Sequence, residues 1–400
     1  MTARRAAGVA ALGAWAGLAY LLWQTTTVPS SLHLPHLDPR AYFSAHLLAQ
    51  TASFERFVGI VWIAGTLVQL AVFAAYARWG AGFARESAAG PIGTGMLLGM
   101  LGFGLLWLAE LPVQVLDLWW ARRHGLAYTS YVDLIFGGWA QLGARFLLLC
   151  LALGIVMGLA RRPRIGDRWW LPATPIFAAL LLLDVFVEPY LLPTHRLTDP
   201  KLVAAARQLE ATDRLHGIPV RVEDISASTP LPNSEATGVF SSRRVVLFDT
   251  MLDGRFTYPE VRFVIAHELG HVQRNHILKT VAWYTLLLAP EVFLIAWVAR
   301  RRGGMRRAEA VPLALFAYVV INLVLTPVHV LVTRHMEAEA DWRALVSTRD
   351  PAGGLKLFER FVPTTLSEPS PPTWDYVLLQ DHPTIMQRMA MTVAWRRLQS

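Results

Sequence analysis

Long apolar segments constrain this chain more than any other feature of its sequence. Seven stretches approach the roughly 20 residues that a helix needs to cross a bilayer: 6–23, 57–76, 93–118, 146–160, 171–192, 278–299 and 311–332. The fourth reaches that length only if it begins earlier, near Gln141. With 54% hydrophobic and only 16% charged residues, an ordinary soluble globular protein is excluded. The sequence predicts a mainly α-helical, polytopic membrane protein of about seven transmembrane helices.

The spans divide the chain into four parts. Residues 1–193 hold the first five predicted helices, and residues 278–332 hold the sixth and seventh. Between them, residues 194–277 have soluble character, with a helix opening at Pro200 and strands expected at 220–225, 236–240 and 244–248. This alternation predicts a small α+β insertion. Residues 333–400 form a C-terminal segment.

His267, Glu268 and His271 form an HExxH motif within the insertion. Thr257 followed by Glu260 is a capping box, which predicts that a helix begins just before the motif. On a helix the two histidines lie on one face, so both imidazoles can bind one zinc ion. Glu268 then stands beside the metal as the base for a zinc-bound water whose pKa has fallen to about 7. The alternative is a surface helix that contains these residues by chance.

A third zinc ligand has to come from elsewhere in the chain. The extended motif with a downstream histidine would need that histidine at position 277, which is isoleucine, and His276 is one position off. Glu337 and Asp341 lie four residues apart on one helical face. Glu337 can complete a His₂Glu site with an open fourth position, and Asp341 can accept the second N–H of a ligand histidine. An exposed acidic helix end is the alternative.

Polar residues also occur inside the predicted spans. Glu110, Gln114 and Asp117 form one stripe on the third span, and Asp184 and Glu188 lie one turn apart on the fifth. Such residues face a bundle interior or a water-filled cavity. They indicate either an aqueous chamber that admits a peptide, or hydrogen bonds between helices.

The net charge of +8 comes almost entirely from arginine, because lysine occurs at only three positions. No basic patch interleaved with aromatic residues predicts binding to nucleic acid. The arginines cluster in the loops after the second, fourth and sixth spans, on the same side as Arg4 and Arg5. By the positive-inside rule that side is cytoplasmic, which predicts an extracytoplasmic HExxH motif. The arginine-rich composition is typical of a GC-rich bacterial genome.

Several short motifs along the chain are shared with one family of membrane enzymes. They are Leu111-Pro112, His124-Gly125-Leu126, residues 245–252, residues 266–271 with Asn275-His276, Arg334-x-x-Glu337-x-x-Ala340-Asp341, and His382-Pro383-Thr384 with Arg388. On these residues the chain resembles the zinc-dependent CAAX prenyl endopeptidases, which are seven-span membrane metalloproteases. It resembles the heat-shock membrane protease HtpX more weakly. The similarity extends from about the third span onward.

The resemblance implies one Zn²⁺ per chain. His267, His271 and Glu337 would bind the ion, Glu268 would act as the base, and Asp341 would orient a ligand histidine. It also implies the family's large water-filled intramembrane chamber, which fits the polar stripes.

Further residues take implied roles in catalysis and substrate binding. His382 would lie near the developing oxyanion, where a donor is most effective, and Arg388 would help to hold the site together. Asn233 matches the asparagine that precedes the family's substrate-binding edge strand, which would continue through Thr237 and Gly238. A strand beside the zinc could bind an extended peptide by edge pairing, or the strands could only brace the HExxH helix.

The residues after Asn233 depart from the family pattern. Ser234 and Glu235 stand where the family usually has alanine and an aromatic residue. The sequence thus predicts an integral-membrane zinc metalloendopeptidase that acts on a peptide or protein substrate. The resemblance to the CAAX family implies that this substrate could be lipidated. A broad quality-control protease and a non-catalytic zinc-containing sensor are the alternatives. Glu268 argues against the sensor, since a purely structural zinc site needs no base.

Overall fold

A computed structural model describes residues 3–399 and is predominantly helical. Its helices are α1 (Ala3–Gln24), α2 (Ala45–Trp79), α3 (Gly90–Arg123), α4 (Tyr131–Ala160), α5 (Trp170–Leu191), α6 (Pro200–Thr212), α7 (Tyr258–Gln273), α8 (His276–Ala299), α9 (Val311–Thr348), α10 (Pro351–Thr365), α11 (Thr373–Leu378) and α12 (Ile385–Gln399). Its strands are β1 (Thr194–Arg196), β2 (Val220–Glu223), β3 (Ser234–Thr237) and β4 (Arg244–Phe248).

Within the described residues, six helical segments are long and apolar enough to cross a membrane. They are Ala45–Glu86, Gly90–Arg123, Tyr131–Ala160, Gly166–Leu191, His276–Arg302 and Ala308–Thr348. Helix α1 adds a shorter apolar stretch, Gly8–Gln24. The prediction of a mainly helical, multi-span membrane protein is therefore confirmed.

Several helices extend beyond the spans expected from hydropathy, and α2, α4 and α9 do so by ten residues or more. Helix α4 begins at Tyr131, well before residue 146, because the hydroxyl of Ser130 caps it by accepting the N–H of Asp133 at 3.0 Å. Helix α9 runs without interruption from Val311 to Thr348, past the expected end of the seventh span at residue 332. Glu337 therefore lies on the same helix as an apolar span.

The chain forms two compact units. One contains the residues up to Arg56, Leu181–Leu286 and the residues from Pro327 onward, and the other contains Phe57–Leu180 and Leu287–Thr326. The second unit has an apolar core that includes Phe73, Met157 and Val311. The first unit contains the sheet, α6, α7 and the C-terminal helices, and it holds every residue of the HExxH site.

The sheet has the strand order β1-β2-β4-β3. Strands β2 and β4 are parallel, while β1 pairs with β2 and β3 pairs with β4 in antiparallel fashion. The strand expected at 236–240 instead spans Ser234–Thr237. It ends there because Gly238 turns with φ of +82°, and a Cβ on Gly238 would lie 2.5 Å from the carbonyl oxygen of Ser242. In the strand order given above, β3 lies at one edge of the sheet.

The core of the first unit surrounds helix α7. Ile265 and Leu269 of α7 are fully buried together with Leu247 of β4 and Leu345 of α9. Phe263 of α7 also packs edge-to-face on Phe358 of α10, with ring centroids 5.8 Å apart. This packing fixes α7, and with it the side chains of the HExxH motif.

Leu209→Ala should lower the stability of the first unit by about 2–5 kcal/mol, because Leu209 on α6 is fully buried in this core. Thermal unfolding of the detergent-solubilised protein measures the effect as a lower Tm. Leu398→Ala, at a side chain that is 61% exposed, is the matched control and should leave Tm unchanged. Equal Tm values for the two variants would contradict this packing.

Candidate metal centre

Helix α7 carries the HExxH motif and begins where the capping box predicts. The carboxylate of Glu260 accepts the backbone N–H of Thr257 at 2.6 Å, and Arg360 donates to the same carboxylate at 3.0 Å. The capping box and this arginine hold the buried start of the helix. The face of α7 that carries His267 and His271 is thereby directed toward α9.

Three donor groups converge where α7 faces α9. His267, His271 and Glu337 each offer a ligand atom, and these atoms lie within 4.8 Å of one another. The two Nε2 atoms are 3.1 Å apart. The carboxylate of Glu337 lies 3.2 Å from His267 Nε2 and 3.4 Å from His271 Nε2. The structure thus brings together the three residues expected to bind zinc.

These distances fit a tetrahedral zinc ion. Donors about 2.0–2.2 Å from such an ion lie roughly 3.3–3.6 Å from one another, close to the separations found here. The electrostatics also favour a cation. Burial alone would lower the pKa of His267, but the carboxylates of Asp341 and Glu337 outweigh it and raise that pKa to about 10. The pocket therefore stabilises positive charge at the point where the donors meet.

Asp341 supports the first histidine from behind. Its Oδ1 lies 2.9 Å from His267 Nδ1, so a proton on Nδ1 is bound by the carboxylate and the lone pair of Nε2 faces the other donors. Arg388 holds Asp341 in turn with two hydrogen bonds, of 2.8 Å from Nε and 2.7 Å from Nη2. Arg388 thereby supports Asp341, and it also lines the cavity that contains His267 and Glu268.

Glu268 is buried next to the three donors but is not one of them. Its Oε1 accepts a hydrogen bond of 2.7 Å from the hydroxyl of Ser234, the first residue of β3. Both residues line a cavity of about 250 Å³ that also contains Asn233 and His382. The carboxylate therefore faces open space in which a peptide and a water molecule can lie.

His382 lies on the open side of the donor cluster. Its Nε2 is 3.1 Å from Oε2 of Glu337, and its Nδ1 is 2.7 Å from Asp381. Burial alone would lower the pKa of His382, but the two carboxylates raise it to about 9. The imidazole is thus held in the cavity as a hydrogen-bond donor.

The three residues expected to bind substrate occupy different positions. Asn233 lines the cavity beside His267 and Glu268. The hydroxyl of Thr237 instead donates to Glu188 of α5 at 3.1 Å, and Gly238 forms the turn after β3. Asn233 is therefore the one of the three that lies next to the donor cluster.

Sequence reasoning missed three residues of the site. Ser234 was noted only as a departure from the family pattern, yet its hydroxyl contacts Glu268. His276 was set aside because it is one position away from the extended motif, but its Nδ1 lies 3.0 Å from His271 Nδ1. Glu339, between Glu337 and Asp341, contacts His276 at 3.0 Å. Glu339 lies two residues from both Glu337 and Asp341 in the sequence, and this proximity is a signal from which its place in the site could be predicted.

The polar stripes predicted on two spans lie in different units. Glu110, Gln114 and Asp117 of α3 line a cavity of about 300 Å³ in the second unit, together with Trp62 and Gln69 of α2. Such a cavity accommodates polar groups that hydrocarbon would not. On the fifth span, Glu188 contacts β3 in the first unit, as described above. The aqueous chamber expected within the spans remains a prediction, as does the alternative of hydrogen bonds between helices.

The fold and the donor set define a class of protein: a multi-span membrane protein with a candidate metal site made of an HExxH motif and a glutamate from a distant helix. Comparison with known proteins supports the same class. Residues 204–396 match the model of peptidase family M48. The resemblance expected from the sequence motifs is thereby confirmed, and the matched segment includes each residue assigned to the metal site.

Individual relatives agree with this family. The chain is 25% identical over 237 residues to the uncharacterized metalloprotease YhfN of Bacillus subtilis, covering 56% of this chain and 55% of that protein. It is 36% identical over 112 residues to CAAX prenyl protease 1 of Saccharomyces cerevisiae, covering 27% of this chain and 24% of the relative. A protease HtpX homolog of Acidiphilium cryptum is 29% identical over 220 residues, covering 50% of this chain and 75% of that protein. The chain thus spans about half the length of YhfN and a quarter of the yeast protein.

A solved structure shares the complete fold. The crystal structure of S. mikatae Ste24p superposes with a TM-score of 0.67 at 18% sequence identity, and the match covers 96% of each chain. The structural likeness covers the apolar spans as well as the segment that carries the HExxH motif.

Asp341→Asn should weaken zinc binding by about 10–100-fold, because His267 loses the carboxylate that holds its tautomer. Competition with a chromophoric chelator measures the affinity in detergent. Asp381→Asn is the matched control: this carboxylate contacts His382 but neither ligand histidine, and its loss should leave zinc affinity unchanged. An Asp341→Asn variant with wild-type affinity would contradict the role given to Asp341.

Proposed function

We propose that this protein is an integral-membrane zinc metalloendopeptidase that hydrolyses peptide bonds. The observation that carries the proposal is the convergence of His267, His271 and Glu337 within 4.8 Å, with the carboxylate of Glu268 beside them and outside the ligand set. A purely structural zinc site fills its fourth position with protein and needs no neighbouring base. The M48 match supports the same activity.

The reaction divides between the metal and the protein side chains. When bound, zinc supplies Lewis acidity and lowers the pKa of water to about 7. Glu268 takes the proton of the attacking water and returns it to the leaving nitrogen. Because Oε1 of Glu268 already accepts from Ser234, the second oxygen, Oε2, is the proton acceptor. Nε2 of His382 lies 3.1 Å from Oε2 of Glu337 before substrate binds, and it would turn to donate to the oxygen of the scissile carbonyl as negative charge develops there.

Strand β3 supplies the substrate-binding surface in this proposal. One side of the strand pairs with β4, and its other side is the edge of the sheet. An extended peptide that pairs with this edge lies beside Glu268, because Ser234 at the start of β3 contacts that carboxylate. Main-chain pairing tolerates many side chains, so the site suits peptide and protein substrates of varied sequence.

The relatives suggest two substrate classes. The yeast relative is named a CAAX prenyl protease, which suggests a lipidated peptide. Several other relatives are named HtpX proteases. Ser234 and Glu235 place polar groups at the start of the binding strand, where the CAAX family usually has alanine and an aromatic residue. This difference favours a peptide without a lipid requirement.

Glu268→Gln should reduce kcat by about 10²–10⁴-fold, because the amide cannot accept the proton, while zinc stays bound. The assay offers a farnesylated CAAX peptide and its unprenylated counterpart side by side, and metal analysis checks the zinc content. Glu359→Gln, at a surface pair with Lys356, is the control and should keep full activity. Substantial cleavage by Glu268→Gln would contradict the proposal.

The two peptides decide the substrate class. Preference for the farnesylated peptide would support the processing role named for the yeast relative. Equal cleavage would support a general membrane protease. Absence of zinc-dependent cleavage of either peptide would favour the non-catalytic sensor.

The arginine-rich loops support an extracytoplasmic active site in a bacterial membrane. These loops follow the second, fourth and sixth predicted spans, which puts the HExxH segment and the C-terminal helices on the opposite side. A reporter that is active only in the cytoplasm, fused after the last residue, should therefore be inactive. A periplasmic reporter at the same position is the control and should be active. Cytoplasmic reporter activity would reverse the proposed orientation.

A further inference from the structure

A buried pair of side chains lies behind the second ligand histidine. His276 and Glu339 are each only 1% exposed. His276 Nδ1 is 3.0 Å from His271 Nδ1, and His276 Nε2 is 3.0 Å from Oε2 of Glu339. Glu339, His276 and His271 form a chain of contacts that ends at the ring of His271. None of the steps proposed above uses Glu339 or His276.

The local backbone makes this arrangement possible. Helix α7 ends at Gln273, and α8 begins at His276 after only two intervening residues. Asn275 adopts the left-handed conformation with φ of +53°, which asparagine tolerates better than most residues, and its N–H donates to the carbonyl of Val272. This turn returns the first residue of α8 to the side of His271.

The contacts determine where the protons lie. Glu339 can only accept, so His276 carries a proton on Nε2. Two ring nitrogens 3.0 Å apart share one proton between them, so either His276 or His271 is the donor. A histidine that binds zinc through Nε2 keeps its proton on Nδ1, so His271 is the donor of this pair and Nδ1 of His276 is the acceptor. The proton therefore belongs to Nδ1 of His271, and its Nε2 presents a lone pair to the metal.

Glu339 is itself held firmly by other groups. Its Oε1 accepts the backbone N–H of Thr27 at 2.7 Å and Nε of Arg274 at 2.8 Å, and its Oε2 also accepts Nζ of Lys279 at 3.3 Å. Together with His276, these donors satisfy both oxygens and fix the carboxylate from two segments of the chain, the residues after α1 and the junction of α7 and α8. Its orientation therefore does not depend on the metal.

We infer that Glu339 and His276 are positioning residues for His271, and that they set its tautomer and ring orientation for zinc. The inference rests on the zinc site of the proposed function. His267 receives the same support directly from Asp341, whereas His271 receives it from Glu339 through an intervening imidazole. Each ligand histidine thus has its own buried carboxylate on α9.

The test measures zinc affinity by chelator competition, together with the visible spectrum of the cobalt-substituted protein. His276→Leu removes the acceptor at similar volume and should weaken zinc binding by about 10–100-fold, with a changed cobalt spectrum. His276→Asn keeps an acceptor near the position of Nδ1 and should restore most of the affinity. Lys279→Met is the control: it removes one contact of Glu339 and leaves His276 in place, so zinc affinity should not change.

The outcomes separate this inference from the proposed function. Wild-type protein that binds no zinc would overturn the proposed function itself. Wild-type affinity and an unchanged cobalt spectrum in His276→Leu would overturn the positioning role alone. Circular dichroism checks whether His276→Leu folds. If it does not, Glu339→Gln decides in its place, with His276→Asn as the reference. Weaker zinc binding in Glu339→Gln than in His276→Asn supports the positioning role, and wild-type zinc affinity in Glu339→Gln contradicts it.

Discussion

The candidate metal centre depends on carboxylates buried behind its two histidines. A buried carboxylate is costly unless it is paired and hydrogen-bonded, and Asp341 meets that condition through Arg388 on one side and His267 on the other. Because Arg388 lies on α12, Asp341 on α9 and His267 on α7, these two contacts connect the C-terminal helix to the HExxH helix through α9. The ligand geometry and the packing of the first unit are therefore stabilised by the same contacts.

The membrane architecture and most of the site could be predicted from the sequence. Apolar length indicates spans directly, and the i, i+4 spacing of His267 with His271 and of Glu337 with Asp341 places each pair on one helical face. The histidine pair and the carboxylate pair come together only through a tertiary contact between α7 and α9. The sequence suggested that contact only through the chemistry of a zinc site, which needs a third ligand.

The features that were missed depend on backbone details and on partners distant in sequence. His276 reaches His271 because of the left-handed turn at Asn275, which no spacing rule for the extended motif describes. Ser234 contacts Glu268 because β3 begins two residues earlier than the alternation of apolar residues suggests. The start of α4 differs from the expected one because it is set by the cap Ser130, a local hydrogen bond that hydropathy does not register.

The shortness of β3 has a consequence for what can be cleaved. Four residues of strand span about 13 Å, so a substrate that pairs with this edge must offer a comparable length of extended chain. A segment folded as a helix or within a domain does not offer it until it opens locally, and the free energy of that opening is added to the barrier for cleavage. In the proposed mode of binding, local unfolding of the substrate would thereby determine selectivity, and the stability of intact proteins would protect them from cleavage.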